Sequence, residues 1–545
     1  MTQIITQKML NYLSIPIIML LACNEKNNTI KNPEPSNTST TDKVLLIGFD
    51  GIRSDVFELL LESGQLPNMK KLIDNGVYFS KATTSDLTGS WGGWCDVLRG
   101  VHRDKHEAGY WGQNVDPGSD IPEFVAFPDL FTRLEAHNSD LNTKSFITWE
   151  GLDKSLDKAD ERIFENYNNN GDEIVTAKAV ANLKSGNPDV VFFYQADTDI
   201  GGHNNGFGPN AIATSLSQFP SAYINTIKQA DINAGKVLTA IKSRTNFDNE
   251  KWLVLFTSDH GGTNGGHSQN RVAERNVPII VSSLNFEISK PTNDASHIDI
   301  QPKNIDIVPT ILNYLSISKT SDAWLALEGH DIFEIIDMKR DLSLDKNLIF
   351  NSDAEYDTGF DGQDETIRDG GSKAGERDWP AEGVYWDQTI SAWDDWTETP
   401  SRHSMTVAFY GSGQDDTFLQ KDQATNWNGG KNFFCAGIDG NSEMEQSINI
   451  SSLSANSYEI SGYLGGSKTS SDTATITVTF LNSSGSEIST TVVNGPSAYE
   501  RDNTTTLILK SKNGSLPNGT HSVKIKLKIN GKYGFADNLS FVLKN

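Results

Sequence analysis

Four apolar runs stand out in the first 300 residues. They are Val44-Leu45-Leu46-Ile47-Gly48-Phe49, Val190-Val191-Phe192-Phe193-Tyr194, Trp252-Leu253-Val254-Leu255-Phe256 and Val277-Pro278-Ile279-Ile280-Val281. Runs this short, with no charged residue to face water, predict strands buried on both faces, as in parallel sheets covered by helices. Between them apolar residues recur at helical spacing. Residues 54–73 carry Val56, Leu59, Leu60, Met69 and Leu72, interrupted by Gly64 and Pro67, and residues 223–244 read as a second helical stretch. Strands alternating with helices predict an α/β fold with a mainly parallel central sheet. After about residue 340 the period changes. Thr475-Ile476-Thr477-Val478-Thr479-Phe480 and Val523-Lys524-Ile525-Lys526-Leu527-Lys528-Ile529 alternate strictly. Period two predicts strands with one wet and one buried face. The expected organisation is an α/β domain over 43–340 and an all-β sandwich over 347–545, with no long tandem repeat.

Composition narrows the function. The 545 residues hold 46 Lys+Arg against 71 Asp+Glu, a net charge of −25, which argues against nucleic-acid binding, a function that needs Lys/Arg clusters. Three cysteines exclude a disulfide scaffold, and Cys95 and Cys435 fall in different predicted domains, so no bridge is expected between them. Lys8 precedes an apolar run over 12–22 that is too short to cross a bilayer as a helix, so residues 1–23 read as a targeting signal. The run ends Leu20-Leu21-Ala22-Cys23, which resembles a bacterial lipobox. That resemblance implies a lipidated Cys23 and a membrane anchor in the bacterial cell envelope, facing the periplasm or the outer surface; a plain secretory signal is the alternative. Residues 24–42, polar with Pro33 and Pro35, are expected to be a disordered tether.

Candidate chemistry gathers where the apolar runs end. Asp50 closes the first. Asp199-Ile200-Gly201-Gly202-His203 follows the second, and Ser258-Asp259-His260-Gly261-Gly262 and Gly266-His267 follow the third. Open parallel sheets place ligands beyond the carboxyl ends of their strands. Carboxylates and imidazoles converging there are what a pair of divalent cations needs, with zinc the first candidate. A hydroxyl on one of these turns could serve as nucleophile, and Ser90 in Ser90-Trp91-Gly92-Gly93-Trp94 is the preferred one, ahead of Thr88.

In the order and spacing of these segments the chain resembles the alkaline phosphatase superfamily, in its type I phosphodiesterase/nucleotide pyrophosphatase-like and sulfatase-like branches. The resemblance covers roughly residues 43–340 and extends to Asp104-Lys105-His106, Asp306-Ile307-Val308-Pro309-Thr310-Ile311-Leu312 and Leu327-Glu328-Gly329. It implies one metal held by Asp199, His203 and His267, and another held by Asp50, Asp259, His260 and the Ser90 oxygen. It implies that Ser90 attacks a phosphoric ester and forms a phosphoseryl intermediate. Phosphodiesters and phosphomonoesters both fit. Two departures bear on the substrate. The Asn that nucleotide pyrophosphatases commonly carry after the nucleophile is absent, and Trp91-Gly92-Gly93 lacks the Pro and Arg that formylglycine sulfatases require. The rival readings are a sulfate-ester hydrolase on the same fold and a surface glycan-binding lipoprotein with a degenerate enzyme domain.

The C-terminal part resembles the jelly-roll modules that follow secreted bacterial enzymes. Asn351-Ser352-Asp353-Ala354-Glu355 matches their opening strand, Ile460-Ser461-Gly462-Tyr463-Leu464-Gly465-Gly466 a central strand and turn, and Ala536-Asp537-Asn538-Leu539-Ser540-Phe541 their closing strand. The resemblance implies Asp353, Glu355 and Asp537 as candidate ligands for a structural calcium, against the alternative of solvated turn carboxylates. Trp393, Trp396 and Trp427 are candidates for stacking on sugar rings, against the alternative of core packing.

Overall fold

The computed structural model describes residues 40–84, 88–102, 106, 127–156, 158–268, 271–291, 300–324, 326–356, 405–411, 416–436 and 441–545. Cys23, the leader, most of the tether, Asp104, Lys105, Trp393 and Trp396 lie outside the described residues.

The apolar runs form a seven-stranded sheet. Its strands are β1 (Thr41–Phe49), β2 (Val77–Thr83), β3 (Thr143–Ile147), β4 (Glu161–Phe164), β5 (Val190–Gln195), β6 (Glu250–Thr257) and β7 (Asn276–Ser283), in the order β2-β7-β6-β1-β5-β3-β4. β1 lies at the centre, parallel to both β5 and β6. Successive β1 side chains enter opposite cores: Val44 and Leu46 on one face, Leu45, Ile47 and Phe49 on the other. The first core is closed by helices Ser90–Arg99, Leu130–His137 and Ile307–Tyr314, the second by Ser54–Glu62, Pro67–Asp74, Gly171–Ser185 and Ser221–Lys242. The stretch 54–73 thus folds as two helices, with Pro67 taking the first position of the second. The predicted strand at 277–281 is present but runs antiparallel to β6, and β2 pairs antiparallel with it. Only β7 is reversed, so the sheet is mainly parallel as expected.

Among the described residues nine further strands, β8 (Met405–Phe409), β9 (Asn432–Ala436), β10 (Ser442–Asn449), β11 (Ser457–Gly466), β12 (Thr473–Leu481), β13 (Glu487–Asn494), β14 (Thr506–Ser515), β15 (Ser522–Asn530) and β16 (Gly534–Lys544), make two sheets, β10-β15-β12-β13 and β14-β11-β16-β9-β8. The strict alternation in β12 and β15 sends Ile476, Val478, Ile525 and Leu527 into one core shared with Ile460, Leu464 and Phe541 of the facing sheet. The C-terminal part is therefore an all-β sandwich. Residues 351–355 are not its opening strand. They are turns, with Asn351 and Ala354 at φ of 46° and 60°, and left-handed backbone cannot continue a pleat. The chain reaches the closing strand earlier, where Leu348 N–H donates to Phe541 O at 2.8 Å and Asn347 bridges Val542. Cys95 and Cys435 are both buried, and no disulfide joins them.

Among the described residues the link between the two parts is narrow. Phe350 and Tyr356 pack on Ile300, Ile335 and Met338, Tyr356 stacks on His330 at 4.2 Å, and Gln446 of β10 accepts from Arg340 at 2.9 Å and from Phe350 N–H at 3.0 Å. Small contacts of this kind let domains fold separately. A chain ending at residue 340 keeps both α/β cores but uncovers Ile300 and Ile335. We expect it to fold with a lowered melting temperature, by about 2–4 °C for each kcal/mol of lost cover. Calorimetry beside the full chain checks this, and an unfolded fragment would show that the sandwich completes the α/β core.

Candidate active site

The central strands end in the residues that carry chemistry. Asp50 follows β1 directly. Asp199 and His203 lie one turn apart on helix Asp197–Asn205, which begins two residues after β5, so both side chains project from one helical face. Asp259 and His260 follow β6, and His267 stands on the succeeding loop. Ser90 opens helix Ser90–Arg99. That helix can approach because position 93 is glycine: a Cβ there would sit 2.5 Å from Asp259 O. The turn after Asp50 needs glycine for two reasons. Gly51 has φ of +70°, and a Cβ would meet Asp199 Oδ1 at 2.7 Å. Buried Asp172 ties down the start of the 197–205 helix, accepting from Ala196 N–H at 3.1 Å and Asp197 N–H at 3.0 Å.

The residues singled out in the α/β half meet in one place. Ser90 Oγ lies 2.9 Å from His260 Nε2 and 3.3 Å from Asp50 Oδ1. Thr88 does not share this position: its fully buried hydroxyl donates to Glu274 Oε2 at 2.7 Å. Asp50 Oδ2 accepts from Tyr194 OH at 2.6 Å and Trp94 Nε1 at 2.9 Å, which leaves Oδ1 facing the pocket. Sequence reasoning did not single out Tyr194. Its signal was a phenol at the end of a buried apolar strand, where the hydroxyl must find a partner. Asp259 Oδ1 accepts from Gly51 N–H at 3.1 Å, while Oδ2 lies 3.2 Å from His260 Nε2. Asp199 Oδ2 is 3.4 Å from His203 Nε2, and its Oδ1 is 3.8 Å from His267 Nε2.

Each imidazole is oriented by a carbonyl. The Nδ1 atoms of His203, His260 and His267 lie 3.1, 2.7 and 2.8 Å from Gly265 O, Gly261 O and Thr88 O. A carbonyl only accepts, so each Nδ1 carries the proton and each Nε2 turns a lone pair into the pocket. His203 Nε2 and His267 Nε2 then face each other at 3.0 Å, lone pair to lone pair. Asp199 Oδ1 and Asp259 Oδ2 are buried without a hydrogen-bond partner. Burial raises the pKa of Asp50, Asp199 and Asp259, and for Asp199 and Asp259 the nearby Asp50 charge adds to the shift. Burial also lowers His260 and His267 to about 3, keeping both neutral. Orphaned carboxylate oxygens beside neutral imidazole lone pairs fit divalent cations, zinc among them.

Two sets of ligand atoms each fall within 4.8 Å of one another: Asp199, His203 and His267, and Asp50, Asp199 and His260. The first is the set implied by the resemblance. In the second, Asp199 joins Asp50 and His260, with Asp259 alongside through its 3.2 Å approach to His260. Asp199 therefore reaches both sets.

The candidates in the sandwich lie apart from this pocket. Glu355 Oε1 accepts from the backbone of Lys431 and Asn432, both at 2.7 Å, and Asp353 Oδ1 from Glu355 N–H at 3.4 Å. Asp537 is fully buried, takes the Tyr410 hydroxyl on Oδ2 and Asn538 N–H on Oδ1, and is pushed up to about 8 by burial. Among the described residues these three form no further convergent ligand set. Trp427 is core: it is buried among Tyr410, Phe433 and Phe535 and donates to Tyr410 OH at 2.6 Å.

No family model matches the chain. It is 23% identical over 265 residues to a bis(5'-adenosyl)-triphosphatase of Mus musculus, a match covering 46% of this chain and 52% of the relative. The chain thus spans about half the length of the curated relatives it matches. Among solved structures, a 2-O GAG sulfatase aligns with a TM-score of 0.39 at 17% identity, over 52% of this chain and 72% of the sulfatase. The phosphonate monoester hydrolase of Agrobacterium radiobacter aligns with a TM-score of 0.37 at 14% identity, over 54% and 77%.

Proposed function

We propose that this chain is a two-metal phosphoric ester hydrolase of the alkaline phosphatase superfamily, with Ser90 as nucleophile. The observation that carries the reading is the aim of Ser90 Oγ at His260 Nε2 and Asp50 Oδ1, inside a buried cluster of carboxylates and imidazoles. Asp199, His203 and His267 would hold one divalent ion, and Asp50, Asp259 and His260 with the Ser90 oxygen the other. Ions bound there supply Lewis-acid charge to the oxygens of the reacting ester. The chain's own groups do the rest. Ser90, its oxygen aimed by Asp50 Oδ1 and His260 Nε2, loses its proton to water and attacks phosphorus. The ester bond to the leaving group breaks, the leaving oxygen takes a proton from water, and a second water hydrolyses the phosphoseryl group to regenerate Ser90. Neutral His260 and Asp50 Oδ1 orient the hydroxyl, and Tyr194 and Trp94 keep Asp50 Oδ1 turned toward it.

The curated relative is a hydrolase of a phosphoric anhydride, which supports phosphorus over sulfur as the reacting centre. The segment Ser90-Trp91-Gly92-Gly93-Trp94, without the Pro and Arg that formylglycine formation requires, supports it further. We also propose that Cys23 is lipidated and anchors the enzyme to the cell envelope; radiolabelled palmitate incorporation that survives Cys23→Ala would overturn this.

Purified protein offered nitrophenyl phosphate, bis-nitrophenyl phosphate and nitrophenyl sulfate should cleave one or both phosphorus esters in preference to the sulfate. Faster sulfate cleavage would move the assignment to the sulfatase reading. Ser90→Ala removes the attacking oxygen and little volume. Its turnover should fall by at least about 1,000-fold, the scale of losing a catalytic nucleophile, while metal content persists. Near-normal turnover would mean that water attacks directly. Elemental analysis of zinc-loaded protein should find about two transition-metal ions per chain, and His203→Ala should lose one of them. Full activity without transition metal would sink the two-metal reading.

A further inference from the structure

Glu274 lies in none of the candidate motifs, yet it is fully buried beneath three of them. Its Oε2 accepts from Thr88 Oγ1 at 2.7 Å and its Oε1 from Thr263 Oγ1 at 2.6 Å. Arg271 approaches Oε1 at 3.7 Å and donates to Thr263 Oγ1 at 2.6 Å. The backbone is tied as well, since Gly261 N–H donates to Glu274 O at 2.6 Å. One carboxylate thereby joins the loop before Ser90 to the turn that follows His260.

The contacts of Thr88 extend this tie to His267. With its own proton given to Glu274, Thr88 Oγ1 accepts from Ser268 N–H at 3.1 Å. Thr88 O accepts from the same N–H at 2.9 Å and from His267 Nδ1–H at 2.8 Å. Ser268 is held at φ of 75°, a conformation that a serine rarely adopts unless its surroundings impose it. The loop that carries His267 is therefore pinned from one side by two oxygens of Thr88, and Thr88 is pinned by Glu274.

We propose that Glu274, acting through Thr88, is a positioning residue that sets the pose in which His267 offers Nε2 to a divalent cation. The inference rests on the metal reading of the site above. A carboxylate suits this position because it only accepts. It fixes the direction of both threonine hydroxyls and leaves lone pairs of Thr88 Oγ1 to receive from the His267 loop, as Ser268 N–H does. Glutamine would keep the volume but supply an N–H₂ group that competes for the same oxygens.

The test uses the full chain loaded with zinc, and reads zinc affinity by competition with a chromogenic chelator. Thr88→Val and Glu274→Gln should weaken one of the bound ions by about 10- to 100-fold, the usual effect of losing a group that orients a metal-binding histidine. Thr88→Ser, which restores the hydroxyl, should return the affinity of the unaltered chain. His267→Ala sets the benchmark. If it leaves zinc binding unchanged, the metal reading itself fails. If it loses an ion while Thr88→Val and Glu274→Gln bind like the unaltered chain, the metal reading stands and the positioning role is overturned. Should either variant fail to fold, Glu274→Asp, which keeps the carboxylate but draws it back from Thr88, decides: zinc affinity weakened to the same degree upholds the proposal, and unaltered affinity overturns it.

Discussion

Three carboxylates and three imidazoles share one pocket at the carboxyl edge of the sheet, and the electrostatic cost of burying them together governs much of what surrounds them. Burial makes Asp50, Asp199 and Asp259 each resist ionisation, and the nearby Asp50 carboxylate adds to this for Asp199 and Asp259. An isolated cluster of this kind would be strongly unfavourable, since buried charge needs compensation. Positive charge entering the pocket would offset that cost. The imidazoles are placed accordingly, each with its proton committed to a carbonyl and its lone pair inward.

Precision at such a site has to come from the second layer, because loops at a strand edge are otherwise free to move. Here that layer is built from buried groups with few alternatives. Tyr194 and Trp94 hold one oxygen of Asp50, so only the other turns inward. Ser258 Oγ accepts from Ile52 N–H at 2.8 Å and donates to His260 O at 2.9 Å, tying the turns after β1 and β6 together. Asn304 donates to Ser258 O at 3.0 Å, which brings the start of the 307–314 helix into the same assembly. Asp172 and Glu274 do the same for the 197–205 helix and the His267 loop. The parallel core strands supply a rigid base, and these polar ties convert that base into fixed side-chain positions.

The sandwich stands apart from this chemistry. Its cores are its own, its aromatic cluster around Trp427 is internal, and it touches the α/β part through a short segment centred on Phe350 and Tyr356. Glu355 and Asp537, which sit where a cation might be sought, take their hydrogen bonds from the protein.

Much of this was legible in the residues alone. Unbroken apolar runs such as Val44 to Phe49 can only be strands buried on both sides, and strict alternation over Thr475 to Phe480 can only bury one face, so fold class followed from periodicity. The pocket residues were legible because Asp and His placed just after such strands must gather at one sheet edge. Pairing direction was not: β7 has the same apolar character whether it runs with β6 or against it, and only the connection between them decides. The turn at 351–355 was hidden for a related reason, since Asn351 and Ala354 adopt left-handed backbone that composition does not require. The division of ligands between two sets, with Asp199 reaching both, and the roles of Tyr194 and Glu274 depend on distances between segments up to about 210 residues apart in the chain. A buried glutamate or tyrosine announces that a partner must exist. Which partner it meets is settled only when packing brings the segments together.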